Sequence, residues 1–231
     1  MVTENSTWGA PRIHGELLMP GFAVSERTIS RWMKRAPRDP EPTKRWLAFL
    51  HNRREAIAAM DFFTVATITF GVIYCFFVIS HGRRRILHVN VTKHPTSRWV
   101  VQQSREALPF GSAPRFLIFD WDGKYGLEVP AAVRALKIRP VRTSFESPWQ
   151  NGIAERRVES CRRDLLDHII AVNESHLKRL LSEYVRYYHE DRTHLGLGKG
   201  TPDCRIHSAA SGRILSRERL GGLHHRYDRA A

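Results

Sequence analysis

Cysteine is scarce in this chain of 231 residues: Cys75, Cys161 and Cys204 stand far apart and form no Cys-x-x-Cys pair. That excludes a disulfide framework and a zinc ribbon. Cys75 and Cys161 fall inside apolar patterns and read as buried thiols of a reducing compartment. Long hydrophobic runs are missing as well. The most apolar stretch, ITFGVIYCFFVIS, is interrupted by Gly71 and too short to span a bilayer. The opening MVTENSTWGAPR lacks the apolar segment of a signal peptide. The expectation is a soluble, intracellular protein. Repeats and low-complexity tracts are absent, and the twelve histidines form no metal-ligand series. The pair His224-His225 reads as part of a solvated tail. Acidic residues are the last shortage: 23 Asp and Glu face 37 Lys and Arg, giving a net charge of +14 and an isoelectric point near 10.4. So large an excess points to a polyanionic partner, most often nucleic acid.

What is present is enough for a core, with 42% apolar and 26% charged residues. Residues 8–35 predict two helices joined by a turn. Pro11 suits the first turn of a helix bearing Ile13, Leu17 and Leu18, and Pro20-Gly21 stops it. Ser25 is a suitable N-cap for a second helix, SERTISRWMKR, with Val24 and Ile29 placed as a hydrophobic staple. Ile29 and Trp32 are expected to pack inward, while Arg27, Arg31 and Lys34, at i, i+4 and i+7, share an outward face. A basic face on the second helix is what a DNA-reading helix-turn-helix requires. The same pattern also fits an ordinary amphipathic hairpin.

Residues 36–54 begin as a Pro- and charge-rich linker and end as a short helix. From about residue 55 the texture becomes α/β. IAAMDFFTVATI, VIYCFFVISH and RRILHVNV are strand candidates rich in β-branched and aromatic residues, with links short enough for antiparallel neighbours. SRWVVQQSREAL then predicts a helix and PRFLIFD a buried strand. LEVPAAVRALK predicts a helix interrupted near Pro130, and IRPVRT a short strand. After a loop over residues 143–151 come a long helix, GIAERRVESCRRDLLDHIIAV, and a second, ESHLKRLLSEYVRYYHEDR. On the first of these, Ala154, Val158, Cys161 and Leu165 form the expected core stripe. Three strands in a meander followed by alternating helix and strand is the chain order of a ribonuclease-H-like α/β fold: a mixed sheet flanked by helices, here behind a small helical module. The domain organisation expected is a helix-turn-helix segment (1–35), a linker (36–54), a catalytic core (55–195) and a basic tail (196–231).

Three carboxylates stand out in that order. Asp61 lies inside the first strand among apolar neighbours, where a carboxylate is costly to bury unless paired or bound to a metal. Asp120 ends the fourth strand, and ligands of α/β sheets gather at strand ends. Glu155 stands 155 − 120 = 35 positions later, near the start of the long helix. Three converging carboxylates can hold two divalent ions, and two ions can drive in-line attack on a phosphodiester. Taken singly, a strand Asp is usually a partnered structural residue and a Glu at a helix start usually complements the dipole. Asp122 and Glu159 are the rivals to Asp120 and Glu155. Asp120 is preferred because it directly ends its strand, and Glu155 because it sits a turn nearer the strand ends.

MDFFTV, FDWDGKYG, SPWQNGIAERRVES and YYHEDRTHLGL together resemble the core of retroviral-type integrases and of bacterial insertion-sequence transposases. WGAPRIHGELL and VSERTISRWMKR are similar to the helix-turn-helix that precedes such cores. The resemblance covers roughly residues 8–200 and includes an aromatic, Tyr125, five residues after the strand-end Asp. It implies a polynucleotidyl transferase with Asp61, Asp120 and Glu155 as catalytic and metal-binding residues and two Mg²⁺ or Mn²⁺ ions as cofactor. DNA ends and target DNA would be the partners of a homo-oligomer in a bacterial cytoplasm, associated with the nucleoid. Contacts to DNA are expected from Arg27, Ser30, Arg31 and Lys34 in the helical segment, and from Lys124, Arg156 and Arg162 in the core. The alternative is an inert or domesticated DNA-binding remnant of a mobile element. The chain lacks the His/Cys zinc-binding N-terminal pattern of retroviral integrases.

Overall fold

The structure, a computed structural model, describes residues 8–35, 41–109, 113–144, 147–206 and 211–230. The chain forms two compact units, residues 1–52 and 53–231. In the first, α1 (Ala10–Leu18) carries Pro11 in its opening turn and packs against α2 (Glu26–Arg35), burying Ile13 and Ile29. Gly21 takes φ +87° in the turn between them, a backbone region suited to glycine. Ser25 caps α2: its Oγ accepts from the Thr28 amide at 3.2 Å. Trp32, expected inward, is 64% exposed, and Val24 is exposed too. A pair of short helices covers only a narrow stripe, and that stripe centres on Ile29. The helix α3 (Glu41–Asn52) occupies the second half of the expected linker. Residues 36–40 lie outside the described set. Ser25→Ala should cost about 1 kcal/mol of local stability. Amide exchange across α2 should then quicken about fivefold, and an unchanged rate would remove the cap from the account.

The second unit is built on a five-stranded sheet in the order β3-β2-β1-β4-β5. Its strands are β1 (Ile57–Ala66), β2 (Val72–Ser80), β3 (Ile86–Thr92), β4 (Phe116–Phe119) and β5 (Arg139–Arg142). The first three form an antiparallel meander, and β4 runs parallel to both β1 and β5. Residues 57–60 of β1 and all of β4 are buried, so these strands read as continuous apolar runs rather than alternations. On one face α4 (Ser97–Ala107) and α5 (Glu128–Ala135) cover Ala58, Met60, Phe76, Val78, Leu117 and Phe119. On the other, α6 (Gly152–Asp164) packs on β1 and α7 (Glu174–Glu190) on β3. His189 of α7 accepts the Ile86 amide through Nε2 at 2.9 Å. Cys75 and Cys161 lie in this layer, where burial pushes both thiols up and leaves them inert.

Three local expectations are corrected. Pro130 does not interrupt α5; it sits in the first turn, where a missing N–H costs nothing. The long helix ends at Asp164, and the chain then makes a 3-10 turn over Leu166–His168 and a bridge from Ala171 to Thr67. The buried stripe of α6 is Ala154, Arg157, Ser160, Cys161 and Asp164, with Val158 only half-buried. Ala154, Cys161 and Leu165 of the expected stripe are buried, and the polar members went unread because apolar periodicity does not register them.

The described part of the basic tail is folded. β6 (Ile214–Arg219) and β7 (His224–Arg229) form a hairpin, and its arginines are largely spent on internal pairs. Asp191, whose side chain is 2% exposed, accepts from Arg219 at 2.5 Å and Arg226 at 2.9 Å. His224 stacks on Tyr187 with centroids 4.7 Å apart and hydrogen-bonds the Asp164 carbonyl at 2.7 Å, so it is a docking residue rather than a solvated one. Asp191→Ala should cost ~1–3 kcal/mol by taking the carboxylate from Arg219 and one of the two that Arg226 pairs with. The thermal midpoint should fall by about 2–4 °C per kcal/mol, with earlier proteolysis within residues 211–230. A variant as stable and as protected as wild type would show that these pairs do not hold the hairpin.

Candidate active site

Strand register brings the two aspartates together. Ala59 of β1 pairs with Ile118 of β4, so Asp61 and Asp120, each two positions on, are side by side where the parallel pair ends. Alternation fixes their face. Ala58, Met60, Leu117 and Phe119 point into the α4–α5 core, so Asp61 and Asp120 point to the opposite face, where α6 packs on β1. Glu155 sits in the first turn of α6, exposed, directly after the turn Pro148–Asn151.

The electrostatics tie the three together. The Asp61 carboxyl is pushed up to about 7, chiefly by burial, with the charges of Asp120, Glu155 and Asp122 adding to it. The Phe62 amide, donating to Asp61 Oδ1 at 2.7 Å, only partly offsets this. Asp120 is raised by burial and by Asp122, against the amide of Asp122, which donates to its Oδ1 at 3.1 Å. Glu155 is raised by burial, then by Asp120 and Glu159. Of the rivals, Asp122 is matched by an ion pair with Lys124. It also accepts the Lys124 amide at 2.9 Å in the turn after β4. Among the described residues, no Lys or Arg forms an ion pair with Asp61, Asp120 or Glu155. Under-neutralised carboxylates held near each other suit a hard divalent cation with oxygen ligands. The donor set therefore fits such an ion. It is not closed: among the described residues, no three His, Cys, Asp or Glu side chains already stand close enough to grip one.

Beneath the site lies Tyr125, fully buried between Phe62 and Phe119, with centroids at 5.9 and 5.1 Å. Its hydroxyl has no hydrogen-bond partner among the described residues. Burial pushes it far up, and the charges of Asp61, Asp120 and Asp122 push it further. The sequence marks Tyr125 only as an aromatic; nothing in it shows that the phenol is buried within reach of the carboxylates' charge. Gly126 follows at φ +47°, and a Cβ there would lie 2.8 Å from Ser97 Oγ, so the turn under the site admits only glycine comfortably. A second feature absent from the sequence reading is Trp121, 56% exposed, with the Arg142 guanidinium 4.6 Å from its ring centroid.

The other expected contacts are spread out. Lys124 is half-buried, tied to Asp122 and set over the Phe62 and Tyr74 rings. Arg162 is exposed and donates to the Thr64 carbonyl at 3.1 Å, which holds it along β1. Arg156 is exposed on α6. Arg27 and Arg31 are exposed on α2 and Ser30 is half-buried. Lys34 lies on α2, but its side chain is outside the described set, as are Phe145 and Glu146 of the loop before α6.

A model of the integrase core domain family matches residues 136–202, or 202 − 136 + 1 = 67 residues of 231. That span includes Glu155 but neither aspartate. No curated protein matches the chain. Among solved structures, a chain of the simian T-cell lymphotropic virus intasome, in complex with PP2A regulatory subunit B56 gamma, aligns with TM-score 0.53 at 14% identity. The alignment covers 75% of this chain and 66% of that one, just under two thirds of its length. The HTLV-2 integrase catalytic core domain in complex with magnesium aligns in its trimeric form with TM-score 0.50 at 12% identity, covering 64% of this chain and 93% of that one. Its dimeric form gives 0.50 at 10%, covering 67% and 97%. The fold is that of an integrase core. At such low identity the solved structures establish architecture, a ribonuclease-H-like mixed sheet flanked by helices, and that is how far they reach. No helix among the described residues is long and apolar enough to cross a membrane.

Proposed function

We propose that the chain is a DNA integrase or transposase that cuts a DNA 3′ end and joins it to a target strand. The observation that carries this is the placement of Asp61 and Asp120 side by side on the sheet face that α6 covers, with Glu155 within electrostatic reach of both. In the first step a water oxygen bonds to the scissile phosphorus as the P–O3′ bond breaks, leaving a 3′-hydroxyl. In the second, that hydroxyl attacks a target phosphodiester and displaces the 3′ oxygen of the target strand. Divalent cations such as Mg²⁺ or Mn²⁺, two in this reading, would supply Lewis-acid stabilisation of the charge that develops on the attacking and leaving oxygens. Asp61 and Asp120 are the rigid ligands, fixed by neighbouring strands. Glu155, exposed at a helix start, would complete the set when DNA arrives. Arg162, Arg156 and Lys124 place the phosphates.

In this reading α1 and α2 form the helix-turn-helix of residues 1–35, with Arg27, Ser30, Arg31 and Lys34 toward DNA. Residues 36–54 link it to a core spanning 55–195, and 196–231 form the basic tail. The enzyme works as a homo-oligomer in a bacterial cytoplasm, since two ends must be joined together. A second reading, an inert DNA-binding remnant, has on its side the net charge of +14, which suits DNA binding and requires no catalysis. Incubation with Mn²⁺ and a labelled DNA end separates the two. Nicked and joined products establish the enzyme; duplex binding with neither product establishes the remnant.

A further inference from the structure

Arg157 is the most unusual residue of the buried face of α6. It is 2% exposed, yet Nε and both terminal nitrogens meet no nitrogen or oxygen acceptor among the described residues, and the hydrogen-bonding neighbour of the guanidinium is the Cys161 thiol. Its guanidinium lies over the rings of Tyr184 at 4.7 Å, Tyr188 at 5.2 Å and Phe77 at 5.7 Å, beside the Cys161 thiol. Rings and a thiol are poor acceptors, and an arginine does not shed its charge. A buried cation with unmet donors costs several kcal/mol unless an anion completes it.

A space for that anion lies beside the guanidinium, whose nitrogens are closed off from solvent as they stand and have to turn outward to reach it. Arg157 lines a cleft of about 740 Å³ between α6 and the segment 192–196, and Arg84, Arg156, Arg163 and Arg192 line it too, against one acid, Glu159. Two of these arginines are already engaged. Arg192 donates to Asp164 at 2.6 Å and to Ser160 at 3.3 Å, and Arg163 approaches Asp164 at 3.6 Å. Among the described residues no carboxylate pairs with Arg84, Arg156 or Arg157. Gly196 has a part in this: a Cβ there would fall 2.1 Å from an Arg84 nitrogen, so only glycine lets that guanidinium lie against the chain at the rim. A planar fork with several free N–H groups, flanked by two more unmatched cations, matches the oxygens of a phosphate.

We propose that this cleft is a phosphate-binding site outside the carboxylate centre, with Arg157 as its buried anchor and Arg84 and Arg156 at its rim. Its occupant is a phosphodiester of the DNA held by the enzyme, an identification that rests on the proposed function for the source of the phosphate only. Glu159 lines the cleft one turn beyond Glu155, so a strand leaving the carboxylates across α6 would meet it.

The test uses the full chain with EDTA present, so that no cleavage enters the measurement. Inorganic phosphate and a short labelled duplex are the two probes. Phosphate should raise the thermal midpoint of wild type but not of Arg157→Met, whose side chain keeps the stem and loses the fork. Duplex affinity should fall about tenfold in Arg157→Met, and the slope of log affinity against log salt should shrink by about 0.9, the value of one lost phosphate contact. Arg84→Ala, at the rim, should lose part of both responses and carries the test if Arg157→Met does not fold. A phosphate response that depends on Arg157, with duplex affinity unchanged, keeps the site and assigns it to a free phosphate instead. Wild-type responses to both probes in Arg157→Met and Arg84→Ala would overturn the proposal. Because only binding is read, a protein that never joins DNA can still pass, and then the proposed function fails alone.

Discussion

Asp120→Asn should abolish cleavage and joining together, by about 10³-fold or more, equivalent to ~4 kcal/mol of transition-state stabilisation. Asparagine keeps the shape and the hydrogen bond from the Asp122 amide but cannot offer an anionic oxygen to a cation. Because Asp122 already has Lys124 as its counter-charge, it should not substitute. The loss should therefore be of rate and not of binding, with duplex affinity within about twofold of wild type. The check is a time course with a labelled DNA end in Mn²⁺. Full activity in Asp120→Asn, with loss in Asp122→Asn instead, would transfer the role to the rival.

Asp61→Asn should do the opposite to stability: the variant gains. In the folded chain the Asp61 carboxyl is pushed up to about 7 from an ordinary 3.8, first by burial, then by its acidic neighbours. The folded state therefore holds this proton more tightly than the unfolded chain. Below about pH 4 both forms are protonated and the residue contributes no penalty. As pH rises from about 4 to about 7 the unfolded chain ionises while the folded one resists, so the penalty grows, and it is constant above that. The midpoint of Asp61→Asn should exceed wild type by on the order of 5 °C at pH 8, with the difference closing near pH 3. Added Mg²⁺ should narrow the gap at pH 8, since a bound cation relieves the same repulsion in wild type only. Thermal scans across pH, with and without Mg²⁺, measure both. A midpoint difference that does not vary with pH would show that burial and neighbouring charge do not govern this carboxyl. Strain of this kind is common where function needs a charge that the fold alone would reject.

The order of strands was legible because the meander and the two later strands are dense in β-branched and aromatic residues, and short links leave few topologies. The adjacency of Asp61 and Asp120 is what a ribonuclease-H-like sheet implies, with its first and fourth strands side by side, and the register of Ala59 with Ile118 gives it physical form. The roles of Arg157 and Asp191 were not legible. Apolar periodicity assigns polar residues to the surface, and nothing local distinguishes a buried arginine from an exposed one. Tyr184 and Tyr188 of α7 and Phe77 of β2, all distant in sequence, create the aromatic bed around Arg157. Trp32 failed for the converse reason: a good amphipathic position stays exposed where too few elements cover it. The tail left small strands and a loose end equally open, because its two strands carry little apolar alternation and are held by pairs to Asp191 that no local pattern announces.

The central claim is that Asp61, Asp120 and Glu155 act as one cation-holding centre when DNA is bound. Counting bound Mn²⁺ by electron paramagnetic resonance, in wild type with a duplex end, tests it most directly. Two ions per chain are expected, falling to one or none in Asp61→Asn, Asp120→Asn and Glu155→Gln. The same number of ions in wild type and in all three variants would contradict it.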